Sequence, residues 1–173
     1  MNEVLNCLET RRSVRKYLPK QIADAELNAI LEAGIYAPTA MGRQSPKIVV
    51  LQKPEDVAEL ERMNAAVLGN PDSHPFYGAP TVLVVLADAK AGTAVEDGSL
   101  VLGNLMNAAH ALGVGSCWIH RAREEFASGE GKALLKRWGI EGDWIGVGHC
   151  ILGYAAEPAA PAKPRKADYI VRG

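Results

Sequence analysis

A chain of 173 residues with 48% apolar side chains, 23% charged side chains and a net charge of −1 is large enough for one self-sufficient core and lies outside the composition of disordered or collagen-like chains. Three cysteines, Cys7, Cys117 and Cys150, are too few and too scattered for a disulfide framework or a paired-cysteine zinc or redox motif, so a reducing, cytoplasmic setting is expected. No apolar run approaches the roughly 20 residues of a membrane span and the opening residues carry no export signal, so neither insertion nor secretion is expected.

Residues 2–10 read as a short helix with Val4, Leu5 and Leu8 on one face, and the segment RRSVRKY starts where it stops. Asp24 is the expected N-cap of a second helix to about Ala37, because Leu27, Ile30, Leu31, Gly34 and Ile35 keep helical spacing and Pro38 follows. After the polar loop TAMGRQSP comes a strand at 47–52, then a helix opened by Pro54 and closed by Gly69. The proline- and glycine-rich stretch 70–80 is a loop. TVLVVLAD (81–88) lacks alternation, so both faces of that strand should be covered.

VEDGSLVLGNLMNAAHALG should form the most buried helix, with Val101, Leu105, Ala108 and Leu112 in one stripe. Gly103, Ala108, Ala109 and Ala111 are small enough for close helix contact. Strands follow at 115–120 and 143–154, with a helix at 129–139 between them. The proline-rich tail 158–173 reads as an extended arm ending in the apolar Tyr169-Ile170-Val171. The result is one α+β domain, 1–173, with helices packed on a sheet of four to five strands.

Charge is unevenly placed. Residues 11–20 hold Arg11, Arg12, Arg15, Lys16 and Lys20 without a carboxylate, and Lys163, Arg165 and Lys166 form a second cluster, leaving the rest of the chain acidic. Arginine forks, the Ser13 hydroxyl and free N–H groups of a turn can surround a small oxyanion. Three or four charge-assisted bonds at roughly 1.5–3 kcal/mol each approach the roughly 8 kcal/mol of micromolar binding. The same pattern also fits a solvated basic face or a nucleic-acid patch. Nucleic acid is the weakest of the three, given the acidic body, 6% aromatic residues and no basic helix.

RRSVRKY after a short helix, then LEAGIYAPTAMGRQSP, DGSLVLGNLMNAAHALGVGSCWI and LGYAAEPAAPAKPRK, resemble the nitroreductase family of flavin-dependent oxidoreductases, in the same order and over essentially the whole chain. The resemblance implies a mostly antiparallel sheet flanked by helices, a body at 1–157, and an arm at 158–173 that reaches the partner subunit of a homodimer. It implies FMN held at the dimer interface, with hydride passing from NADH or NADPH through flavin N5 to a nitroaromatic, quinone or similar acceptor in a ping-pong cycle. A noncatalytic flavin-binding or regulatory protein is the alternative.

By the same resemblance Arg11, Arg12 and Ser13 face the FMN phosphate or ribityl chain, and Lys163 and Arg165 complete the phosphate grip. Arg15 would lie by the N1/O2 edge, where a fixed cation stabilises the charge of the reduced ring. Pro38, Thr39, Ala40 and Met41 would reach the ring from the partner subunit, with Gln44 supporting that loop. Gly42 stands where many relatives have asparagine, so no side-chain contact is assigned there. The backbone of Gly115, Ser116, Ile119 and His120 would lie beside the ring, and Asn70 would touch the ribityl chain.

Other features are discounted. Gly146-Val147-Gly148 lacks the third glycine and the following helix of a dinucleotide fingerprint. Cys117 and His120 point to opposite faces of one expected strand and make no nucleophile–base pair. His74, His110, His120 and His149 have no metal-ligand spacing, and Trp118, Trp138 and Trp144 read as packing, with Trp118 near the expected ring.

Overall fold

The computed structural model describes residues 2–173. Helix α1 (Glu3–Thr10) starts where the Asn2 side chain accepts the Val4 N–H, as a short polar N-cap should. Its expected apolar face is not covered by the rest of the chain, since Val4, Leu5 and Leu8 are each more than half exposed. Helix α2 (Asp24–Ile35) is capped by Ala23, not Asp24. The Glu26 carboxylate takes the Ala23 N–H at 3.0 Å and the Tyr154 hydroxyl at 2.6 Å, so a contact from the far end of the chain moves the boundary by one residue. The Tyr154 hydroxyl, followed by the Ala23 N–H, holds the Glu26 carboxyl below its ordinary range.

The sheet has four strands, β1 (Pro46–Leu51), β2 (Thr81–Asp88), β3 (Gly115–Ile119) and β4 (Trp144–Gly153), in the order β1-β2-β4-β3 with every pairing antiparallel. β2 is buried on both faces, as its unbroken apolar run required. Its residues alternate between two cores. Leu83, Val85 and Ala87 pack with α2 and α4 (Ala94–Ala111), whereas Val82, Val84 and Leu86 pack with α3 (Pro54–Leu68), α5 (Ala122–Ala127) and α6 (Gly129–Arg137). Pro54 opens α3, and Gly69 ends it in a left-handed conformation, φ 76°.

Two packing expectations need correction. A Cβ on Gly103 would meet open space, so it sets no helix contact; the close approach is made from α2, where a Cβ on Gly34 would lie 2.6 Å from Leu105 of α4. Leu112 lies beyond the end of α4 and is 44% exposed. Gly146 and Gly148 of β4 flank its bulge. Val85 of β2 pairs with Gly148 and Leu86 with Gly146, leaving Val147 as the extra residue. Among the described residues no helix is long and apolar enough to cross a membrane.

Candidate functional site

The cationic segment after α1 is clamped along the sheet's β3 side. Ser13 bridges to Ser116 of β3, with the Val14 N–H donating to the Ser116 carbonyl at 2.9 Å. Farther along, Tyr17 bridges to Ala155, Leu18 N–H donates to the Tyr154 carbonyl, and Ala156 N–H donates to the Lys16 carbonyl, the last two at 2.9 Å. The Tyr17 hydroxyl donates to the Val14 carbonyl at 2.8 Å, and burial pushes its phenol up. A basic loop would ordinarily wander in solvent; this one is tied down at Ser13–Val14 and again at Lys16–Leu18.

Two polar atoms at this clamp have nothing to bond. Among the described residues Arg11 Nη1 and Ser116 Oγ are buried without a hydrogen-bond partner, and a buried unsatisfied donor costs about 1–3 kcal/mol, more when charged. Arg12 Nη1 donates to the carbonyls of Glu9 and Arg11 at 2.9 and 2.7 Å. Among the described residues Arg11, Arg12 and Arg15 make no ion pair, while Lys16 pairs with Glu157 at 2.9 Å on the surface. At the end of α4 the His110 Nε2 lies 2.9 Å from the Thr10 hydroxyl. Burial, then the charges of Arg11 and Arg12, hold His110 below its ordinary 6.5, so the local field is positive.

The second basic cluster comes back to the same helix. Lys163, Arg165, Lys166 and Tyr169 line an open cleft of about 860 Å³ against Leu8 and Glu9, the turn that leads directly into Arg11. Tyr169, Ile170 and Val171 nevertheless stay 76–87% exposed.

Pro38–Gln44 lies elsewhere. Thr39 and Gln44 line a groove of about 340 Å³ with Leu31, Ile35, Ile48 and Val101, at the α2 and β1 side. Asp97, in the first turn of α4, accepts the Ala40 N–H at 3.0 Å and the Ser45 hydroxyl at 2.9 Å. His110, beside the cationic segment, is in the last turn of the same helix, a separation of about 20 Å at about 1.5 Å per residue. The loop and the basic segment of one chain are thus held at opposite ends of α4.

β3 presents Gly115, Ser116 and Ile119 buried, and His120 follows it exposed. Cys117 is buried and Trp118 is 49% exposed, so the pair reading of Cys117 with His120 has no geometry, and Trp118 is not a core residue. The Trp118 and His120 rings meet edge to face at 6.0 Å. Asn64 of α3 is fully buried and donates to the His120 carbonyl at 2.9 Å. Asn70 is exposed at the start of the 70–80 loop, and Arg15 lies 6.0 Å over the ring of Tyr77 in the same loop. Tyr77 has φ 54°, an uncommon conformation for an aromatic residue.

The residues that sequence reasoning missed are Asp97, His110, Asn64 and Tyr77. Each contacts a segment distant in the chain; Asp97 and His110 stand inside the stretch DGSLVLGNLMNAAHALG, but only their long-range contacts single them out.

The profile described as "Nitroreductase family" matches residues 8–154. A nitroreductase with bound FMN from Bacteroides fragilis has 34% sequence identity and a TM-score of 0.91, with 100% of both chains covered. A protein of Archaeoglobus fulgidus that bears the provisional name NADH dehydrogenase/NAD(P)H nitroreductase is 32% identical over 160 residues, 89% of this chain and 86% of its own. One of the same name from Methanothermobacter thermautotrophicus is 30% identical over 124 residues, and this chain spans 60% of that relative's length. With its fold and nearly all of its sequence matched, the chain belongs to the nitroreductase family.

Proposed function

We propose that the protein is an FMN-dependent NAD(P)H oxidoreductase that works as a homodimer with a shared site. The observation that carries this reading is the buried Arg11 Nη1, which among the described residues has no acceptor, on a clamped basic segment whose arginines make no ion pair and whose bridge partner Ser116 also carries an unpartnered hydroxyl. A phosphate monoester supplies the acceptor oxygens and negative charge that this arrangement lacks. The donor set therefore fits FMN. When bound, the flavin supplies hydride acceptance from NADH or NADPH and delivery to a nitroaromatic, quinone or related acceptor in a ping-pong cycle.

The chain's own residues bind and orient. Arg11, Arg12 and Ser13 hold the phosphate or ribityl chain, with Lys163 and Arg165 closing over it from the arm. With the cofactor in place, Arg15 would lie at the ring's N1/O2 edge as a fixed cation, the β3 backbone from Gly115 to His120 would flank the ring, and Asn70 would reach the ribityl chain. Pro38–Met41, supported by Gln44, complete the site of the other copy. Their attachment through Asp97 to the opposite end of α4 from His110, which meets Thr10 just ahead of the basic segment, supports this, because the loop is held away from the phosphate-binding residues of its own chain.

Purified protein should be yellow, and anaerobic NADH or NADPH should bleach its flavin absorbance. Flavin that neither nucleotide bleaches would leave a noncatalytic binder, and protein unable to take up FMN would overturn the cofactor reading altogether. Deleting residues 160–173 should cost both FMN and the dimer, measured by flavin content and light scattering; a truncated protein that stays dimeric and fully flavinated would contradict the role of the arm.

A further inference from the structure

The loop from Thr39 to Ser45 adopts an improbable backbone. Met41, Gly42 and Gln44 all have positive φ, at 56°, 65° and 52°, and only glycine takes that region without steric cost. Local bonds alone do not explain why it holds. Gly42 N–H donates to the Thr39 carbonyl, Arg43 N–H to the Ala40 carbonyl and Gln44 N–H to the Thr39 hydroxyl, all within the loop itself. Outside the loop, the Asp88 N–H donates to the Ser45 carbonyl at 3.2 Å, but the side chain that reaches both ends of the stretch is Asp97, which is 3% exposed.

Asp97 Oδ1 accepts the Ala40 N–H at 3.0 Å, and Oδ2 accepts the Ser45 hydroxyl at 2.9 Å and the Thr93 hydroxyl at 3.3 Å. The two ends of the strained stretch are thereby fastened to one carboxylate, which α4 holds in place through the Asp97 N–H bond to the Thr93 carbonyl. Burial works to raise the Asp97 carboxyl, but these donors and the Arg43 charge outweigh it and keep the group below its ordinary range. An asparagine offers one acceptor oxygen where three donors converge, so it would satisfy the arrangement only in part.

We propose that Asp97 is the positioning residue that fixes the Ala40–Ser45 loop in its left-handed form. Building on the FMN reading, that form is the one the loop needs to complete the flavin site of a partner subunit. Asp97 touches neither flavin nor substrate in this account and acts only through the loop.

Amide hydrogen exchange and FMN titration on the full-length protein test it. In Asp97→Ala the Gly42, Arg43 and Gln44 amides should exchange about tenfold faster or more and the FMN Kd should rise about tenfold, the size expected from losing a buried charged acceptor. Asp97→Asn should recover part of both effects. Ser45→Ala, which removes one donor and leaves the core intact, should loosen the same amides by a smaller factor with little change in Tm. Loop amides that exchange at the native rate in Asp97→Ala would overturn the anchoring role. A loosened loop with native FMN affinity would overturn the link to the flavin site. If the unmodified protein binds no FMN, the cofactor reading fails by itself, and the exchange comparison still decides whether Asp97 holds the loop.

Discussion

Arg11→Ala protein should fold, dimerise and fail to retain FMN, with its flavin Kd raised about 100-fold. Two charge-assisted bonds at about 1.5 kcal/mol or more each give that factor. What Arg11 lacks sets this outcome. A guanidinium held in a buried ion pair would destabilise the chain when removed, but Arg11 makes no ion pair among the described residues and carries a buried nitrogen with no acceptor. Removing it relieves a desolvation penalty in the flavin-free protein, so Tm without FMN should be unchanged or slightly higher. Arg165→Ala should weaken FMN in the same direction, while Arg15→Ala, aimed at the ring edge, should slow reduction or lower the flavin potential more than it weakens binding. Flavin titration and thermal melts of the three variants check this; an equal fall in Tm for all three would show that structural cations have been mistaken for ligands.

Glu125→Ala should destabilise the fold by about 3–5 kcal/mol, the cost of leaving one member of a buried pair alone. His149 Nε2 lies 2.5 Å from Glu125 Oε2 with both side chains fully buried, and the rings of Phe76 and Phe126 stand 5.5 and 6.5 Å from the imidazole. Among the described residues neither His149 Nδ1 nor Glu125 Oε1 has a partner, so the survivor of a single substitution has nowhere to turn. A double Glu125→Leu, His149→Leu variant should lose less than Glu125→Ala, because no polar atom is stranded. Urea unfolding measures both. A loss below about 1 kcal/mol for the single variant, or a larger loss for the double, would refute the account.

That pair also explains where the sequence was mute. α3 was legible because Pro54 and Gly69 mark its ends by local chemistry, and β2 because an unbroken apolar run states that both faces are covered. α5 was not. Its six residues, AREEFA, have too little apolar periodicity to announce a helix, and their place is set by Glu125 and Phe126 burying against β4, residues that the chain reaches only later. Gly146 belongs to the same contact, since a Cβ there would lie 2.1 Å from the Ala122 carbonyl oxygen. The cap of α2 shifted from Asp24 to Ala23 for the same kind of reason, a hydroxyl from Tyr154. At the site, the basic residues and their order could be read from the chain, but the clamp that orients them depends on β3, and the Asp97 anchor depends on a loop far upstream.

The two margins of the sheet are unequal. β3 is flanked by the cationic segment, which bonds to Ser116 and so masks part of that strand's outer hydrogen-bonding groups, whereas β1 pairs with β2 alone among the described residues. A sheet with two free margins can recruit neighbours indefinitely and grow into a fibre; one with a single free margin can take one neighbour there and stop. Tethering Ser13 and Val14 to the β3 margin therefore has a colloidal consequence apart from any ligand: it biases self-association through strands toward a closed, finite assembly.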